Sequence, residues 1–208
     1  MKEDKICRIA TRKSPLALRQ SEMVAELVRD KLGLDTRLLP MSTMGDRKME
    51  WSLQKEGGKG LFTKELEIAL LENMADLAVH SAKDMPTEMD EELSLSALLE
   101  REDPRDVLVV REDLEVPLTL ASGSPRRISQ LKSRFPNIEW REMRGNVETR
   151  LKKIADDQIS DGTILASAGL KRLGIYEFPG LRFEYLKTHE LPIDEIKIVA
   201  SSRSAGKS

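Results

Sequence analysis

Val79-His80-Ser81-Ala82-Lys83-Asp84-Met85-Pro86 places an imidazole, a hydroxyl, an ammonium and a carboxylate in near succession at the end of a short apolar run, Leu77-Ala78-Val79. The run reads as the end of a buried strand. Pro86 pushes the residue before it out of the α region, so no helix is expected to start there. Open α/β sheets bind their ligands at the C-terminal ends of strands. A polar cluster held open there is therefore a candidate site. The alternative is a solvated loop with ordinary surface charge, and the stretch alone leaves both open.

Backward from this stretch, 61–73 has Leu66, Ala69 and Leu70 at helical spacing and predicts a helix feeding the strand. Before it lies the long irregular segment 42–60, which contains Gly57-Gly58-Lys59-Gly60. Long loops in compact domains tend to be functional or disordered. At the start of the chain, 6–10 reads as a strand. Ser14-Pro15 then opens a helix with serine as N-cap and proline in its first turn. Leu16, Met23, Val24, Leu27 and Val28 give that helix an apolar face, and Gly33 ends it. Residues 36–41 form the next strand, so the sheet is expected to be parallel here. Forward from the stretch, 93–98 suits a further strand.

The charged, proline-containing run Glu100-Arg101-Glu102-Asp103-Pro104-Arg105-Asp106 looks like a crossing between lobes. Strands are expected at 107–110, 118–121, 138–141 and 163–166, with helices after Ser124-Pro125 and after Arg144-Gly145-Asn146. A short helix holds Gly169 to Leu173. Both halves use a strand, a Ser-Pro helix start and arginines beside it. The fold class read from this order is α/β, with a first lobe over 1–100 and a second over 105–190. Leu191-Pro192 opens a segment, 191–208, that could return to the first lobe.

Composition narrows the function. The chain has 208 residues, 34 Lys+Arg against 36 Asp+Glu, and a formal net charge of -2. A general nucleic-acid or membrane binder would show a basic excess. No apolar run approaches the roughly 20 residues that span a bilayer, and the charged N-terminus has no apolar export segment. The single cysteine, Cys7, excludes an internal disulfide framework and fits a reducing, cytoplasmic setting. It lies inside an apolar strand, as a small core residue would. With two histidines, His80 and His189, and one cysteine, no metal site is expected.

The cations are placed with a pattern. Arg12, Lys59, Lys83, Arg126, Arg127, Arg144 and Arg150 fall in turns or near helix starts. Free N–H groups and the helix dipole already favour anions there, and arginine adds bidentate donors for carboxylate or phosphate. Two lobes aiming such ends at one cleft would bind a molecule with several anionic groups. The alternative for any single arginine is a solvated or locally paired side chain. Gly57-Gly58-Lys59-Gly60 and Ala205-Gly206-Lys207-Ser208 both lack the full phosphate-loop pattern.

Several motifs together resemble the hydroxymethylbilane synthase, or porphobilinogen deaminase, family. They are Ala10-Thr11-Arg12-Lys13-Ser14-Pro15-Leu16-Ala17-Leu18, Gly57-Gly58-Lys59-Gly60-Leu61-Phe62, His80-Ser81-Ala82-Lys83-Asp84-Met85-Pro86 and Arg101-Glu102-Asp103-Pro104-Arg105-Asp106. Further along come Ser124-Pro125-Arg126-Arg127, Arg144-Gly145-Asn146-Val147 and Ala168-Gly169-Leu170-Lys171-Arg172-Leu173. The resemblance implies two periplasmic-binding-protein-like (type II) lobes with mixed sheets around a central cleft. It implies an enzyme of porphyrin and heme biosynthesis that joins porphobilinogen units head to tail into a linear tetrapyrrole, releasing ammonia. Asp84 would be the catalytic carboxylate. Arg12, Ser14, Lys59, Ser81, Lys83, Arg126, Arg127, Arg144, Arg150 and Arg172 would hold the carboxylates of cofactor and substrate.

The family also implies a dipyrromethane cofactor attached to a cysteine in a third small domain. Here Ile193-Asp194-Glu195-Ile196-Lys197-Ile198-Val199-Ala200 stands where the family has a glycine-rich return segment. The third domain is expected to be absent, and Cys7 is in the wrong place to substitute. Covalent attachment is therefore not expected. Either the primer is held without a bond or a partner chain supplies the domain; otherwise the protein is expected to be a monomer. A non-catalytic two-lobe receptor for polycarboxylate pyrroles or other organic anions is the alternative.

Overall fold

A computed structural model describes residues 6–47, 61–186 and 196–201. Lys59, His189, Gly57-Gly58-Lys59-Gly60 and the tail after Ser201 lie outside the described residues. The chain divides into two units, one of Met1–Glu102 with Ile193–Ser208, the other of Asp103–Pro192. The boundary falls within the charged run that contains Pro104.

In the first unit, β1 (Cys7–Arg12) leads into α1 (Pro15–Leu32) and then β2 (Thr36–Met41). The Ser14 side chain accepts from Ala17 N, and Gly33, in the left-handed conformation, donates its N–H to Arg29 O. The cap signals in the sequence thus mark both ends of α1. Next come α2 (Met44–Arg47), α3 (Lys64–Leu71), β3 (Leu77–Ser81) and β4 (Leu93–Leu98). The last described strand, β10 (Ile196–Ser201), returns to this unit. The strand order is β2-β1-β3-β10-β4. β1 is parallel to β2 and β3, and β10 is antiparallel to β3 and β4.

Residues alternate between the two faces of this sheet. Ile9 and Val79 pack with Val24, Ala25 and Val28 of α1. Ala10 and Ala78 pack with Leu66, Ala69 and Leu70 of α3. Leu27, expected on the apolar face of α1, is 41% exposed; the face that is buried runs through Gln20, Ser21, Val24, Ala25 and Val28. The helix expected over 61–73 is shorter, because 61–63 form a turn and Thr63 is its cap.

The second unit holds β5 (Asp106–Arg111), β6 (Thr119–Ala121), α4 (Pro125–Lys132), β7 (Glu139–Arg141), α5 (Val147–Ala155), β8 (Gly162–Ala166), α6 (Ser167–Arg172) and β9 (Leu181–Tyr185). Its order is β7-β6-β8-β5-β9. β6 is parallel to β7 and β8, while β5 is antiparallel to β8 and β9. This repeats the first unit strand for strand, with β5 in the place of β10. The two Ser-Pro helix starts follow equivalent strands, β1 and β6. β5 is buried on both faces, as a covered inner strand should be. Val107 and Val109 pack with Leu151, Ile154 and Leu170. Leu108 and Val110 pack with Leu120, Leu131 and Ile164.

No helix among the described residues is long and apolar enough to cross a membrane.

Candidate functional site

Arg12 and Ser81 stand at the C-terminal ends of the parallel strands β1 and β3. In the first unit, β3 runs out at Ser81, and a single 3₁₀ turn follows at Ala82–Asp84. Pro86 does not prevent that turn, but Met85 before it is extended, with φ -73 and ψ 138, which is the conformation a following proline imposes. Ser81 exchanges hydrogen bonds with the buried Gln20 of α1: Gln20 Nε2 donates to Ser81 Oγ at 3.1 Å, and Ser81 Oγ lies 3.3 Å from Gln20 Oε1. Lys83 is exposed, and Asp84 is about one quarter exposed. Ser14 is committed to capping α1.

Arg12, at the end of β1, joins these elements. Its Nη1 lies 3.9 Å from Asp84 Oδ2. Its Nε donates to Asp46 Oδ2 at 3.2 Å, and its Nη2 donates to Asp46 Oδ1. Its guanidinium carbon stands 4.2 Å from the centre of the Phe62 ring, within cation–π range. Asp46, Phe62 and Gln20 were not singled out as site residues from sequence. A signal for Asp46 existed: Thr43-Met44-Gly45-Asp46 has the capping-box spacing. Asp46 N donates to Thr43 Oγ1 at 3.3 Å, and Thr43 N donates to Asp46 Oδ2 at 3.2 Å. Burial works against the charge on Asp46, yet the bonds from Arg12 and Thr43 hold its pKa below the ordinary carboxylate value.

His80 is buried on the α3 side of β3, with its pKa pushed down to about 4 by burial and then by the charge of Arg12. The folded protein keeps it neutral where the unfolded chain, at about 6.5, takes up a proton. This contribution to stability is complete above pH 6.5 and is lost as pH falls toward 4. Urea unfolding at pH 7 and pH 5 is expected to differ by about 2 kcal/mol from this group alone. His80→Gln should remove that part of the difference, and an unchanged difference in the variant would place its origin elsewhere.

In the second unit, α4 and α5 start directly after the neighbouring parallel strands β6 and β7. Ser124 caps α4 by accepting from Arg127 N, and Asn146 caps α5 by accepting from Thr149 N. Gly145 has φ +122, and a Cβ there would meet Thr149 Cγ2 at 2.8 Å; only glycine suits this turn. The turn aims Gly145 O at Arg150 Nε, which donates to it at 2.8 Å. Arg150 has its pKa lowered to about 10 by burial and then by the charges of Arg127 and Arg144. These three predicted arginines are therefore brought together. Arg127 is clamped by Asp106, Nε to Oδ2 at 2.9 Å and Nη2 to Oδ1 at 2.7 Å, with Asp106 only 3% exposed in its side chain. Arg126 Nη1 donates to Gln130 Oε1 at 2.8 Å, one turn along α4. Arg172, 8% exposed, ends α6.

Among the described residues no group of three or more His, Cys, Asp or Glu side chains could hold a metal ion. Cys7 packs in the core with Ile9, Val24 and Val79, and its thiol pKa is raised by burial and by Asp76.

The fold defines the class. The chain is similar in structure to the periplasmic VFT2 domain of BvgS from Bordetella pertussis, with a TM-score of 0.59 and 20% identity over 97% of this chain and 83% of that one. It is also similar to the effector-binding domain of BenM with its effector benzoate, with a TM-score of 0.57 and 15% identity over 95% of this chain and 84% of that one. The two units are thus α/β lobes of the type II periplasmic-binding-protein kind, with mixed sheets. Within that class the chain belongs to the porphobilinogen deaminase family. Residues 7–194 match the family model described as porphobilinogen deaminase, dipyromethane cofactor binding domain.

Proposed function

We propose that the protein binds a carboxylate-rich dipyrromethane primer and extends it with porphobilinogen, releasing ammonia, as a hydroxymethylbilane synthase of porphyrin biosynthesis. The main support is the setting of Arg150, whose pKa is lowered first by burial and then by the charges of Arg127 and Arg144. Like charges held together in a part-buried setting are costly, and an anionic ligand relieves the cost. Bidentate arginines match carboxylates in particular, so this donor set fits the acidic side chains of a dipyrromethane. The primer, when bound, supplies a nucleophilic pyrrole carbon. Cys7 does not fit as its anchor, because a buried thiol of raised pKa is a poor nucleophile. We therefore assign these arginines to hold the primer's carboxylates by charge, and assign Cys7 no bond to it. The lone cysteine of the chain supports a reducing, cytoplasmic setting.

Asp84 is assigned the proton work. As an acid it gives a proton to the departing amine nitrogen of porphobilinogen. As a carboxylate it then stands beside the positive charge left on the pyrrole. Arg12, Ser81, Lys83 and Lys59 are assigned to hold substrate carboxylates, with Ser14 capping α1. Arg126 and Arg172 extend the cationic set of the second.

The purified protein, incubated with porphobilinogen alone or with added dipyrromethane or preformed bilane, is expected to consume the monopyrrole and form linear tetrapyrrole. No turnover under any of these conditions would overturn the synthase reading. Bilane binding without turnover would leave the second reading, a receptor for polycarboxylate pyrroles, which the arginine gathering alone would serve.

A further inference from the structure

Lys153 is not among the cations that the sequence singles out, yet its ammonium belongs to their setting. Its Nζ donates to Arg144 O at 3.1 Å, and the next carbonyl, Gly145 O, takes the bond from Arg150 Nε at 2.8 Å. Both cations come from α5 and lie one turn apart on one face of it. Like charges so placed repel. Here each is turned onto a main-chain oxygen of the turn that opens the helix. Lys153 sits in the last turn of α5, where a lysine ordinarily serves the helix C-terminus. Its side chain runs back toward the start instead, the direction in which helical side chains lean. The far end of Arg150 is placed as well. A Cβ on Gly123 would stand 3.6 Å from Arg150 Nη2 and 2.6 Å from Met143 O, so the guanidinium reaches the turn that opens α4. Met143 N donates to Ser122 O at 3.4 Å, which joins the two turns.

We propose that Lys153 is a positioning residue: by holding Arg144 O it fixes the turn whose next carbonyl holds Arg150, and so aims the Arg150 guanidinium at the start of α4. Gly145, at φ +122, is the joint of that turn, and a glycine backbone is free to rotate. Arg144 O and Gly145 O belong to the peptide groups on either side of the joint. Lys153 fixes the first and Arg150 the second, so each tie depends on the other. The use of this arrangement rests on the proposed binding of a carboxylate-rich pyrrole. A guanidinium that keeps its Nε bond presents its two Nη atoms, a bidentate fork for a carboxylate. Freed of that bond, the long side chain has to be ordered again when the anion binds, at an entropic cost.

Hydrogen exchange at Arg150 Nε, followed by NMR in protein labelled with nitrogen-15 arginine, tests this, the Arg150 signal being identified by its loss in Arg150→Lys. In Lys153→Met its exchange is expected to quicken about tenfold, and Lys153→Arg, which keeps a charged donor, should restore most of the protection. Removing a nearby cation by itself slows base-catalysed exchange, because a cation draws hydroxide. The sign of the change therefore separates a loosened bond from a lost charge. Affinity for preformed bilane, read by calorimetry, is expected to fall about tenfold in Lys153→Met, and far less when the same change is made in the Arg150→Gln background. Unchanged or slower exchange in Lys153→Met, or an equal loss of affinity with Arg150 already removed, would overturn the proposal. Should Lys153→Met not fold, Lys153→Gln takes its place with the same overturning results. No pyrrole enters the exchange measurement, so absence of bilane binding and failure of this proposal are read separately.

Discussion

Asp84→Ala is expected to slow porphobilinogen consumption by about a hundredfold to ten-thousandfold, while bilane binding stays the same or tightens. The size follows from removing a positioned proton donor, worth about 3–5 kcal/mol on the barrier. The direction of the binding change follows from charge. The Asp84 carboxyl lies 3.9 Å from Arg12 Nη1, and its removal leaves that guanidinium more open to a polycarboxylate. The arginines of the second lobe are held by Asp106, Gly145 O and helix caps, none of which involves Asp84. Steady-state turnover and calorimetry on the same preparation separate the two quantities. If binding fell in step with turnover, Asp84 would be a ligand-holding group. If turnover survived, the assignment of the proton to this residue would fail.

Asp106→Asn is expected to destabilise the second lobe by about 3–5 kcal/mol, read as a loss in urea unfolding at neutral pH. Asp106 and Arg127 are a buried bidentate pair, with side-chain exposures of 3% and 12%. Breaking such a pair leaves an uncompensated charge in a poorly solvated place. Against a usual domain stability of about 5–15 kcal/mol, the loss is large. Replacing both residues with apolar side chains of similar volume should recover much of the stability, since the pair's net contribution is small once desolvation is counted. The double variant should nonetheless bind bilane poorly, because Arg127 is one of the gathered cations. A double variant as unstable as Asp106→Asn would show that the clamp does more than balance charge.

What the sequence made legible was local chemistry. Ser14-Pro15 and Gly33 bracket α1 because caps depend on a few neighbouring atoms. The Arg144-Gly145-Asn146 turn was visible because positive φ and an Asn cap leave a residue signature. The family motifs led to the arginines that converge on Arg150. Distant pairings were not legible. Leu181-Arg182-Phe183-Glu184-Tyr185 alternates as β9 should, but its pairing with β5 spans most of the second lobe. Asp106 reads as part of a crossing, since nothing near it in sequence shows that Arg127 reaches it. Asp46 lies in the long irregular segment 42–60, and its partner Arg12 is 34 residues away.

The place of β10 sets the order in which the molecule can be assembled. It inserts between β3 and β4, pairing Ile196 with Ser81 and Ser201 with Leu93. The second lobe, by contrast, draws its described strands from one uninterrupted stretch. During synthesis, residues 103–192 have emerged before the strand that joins β3 to β4 exists. The lobe made second can therefore finish folding first, while the lobe made first waits with β3 and β4 unjoined. Closing that long loop is the slow, entropically costly kind of step. The strand that leads into the Asp84 turn is thus secured on one side only when the last described segment arrives.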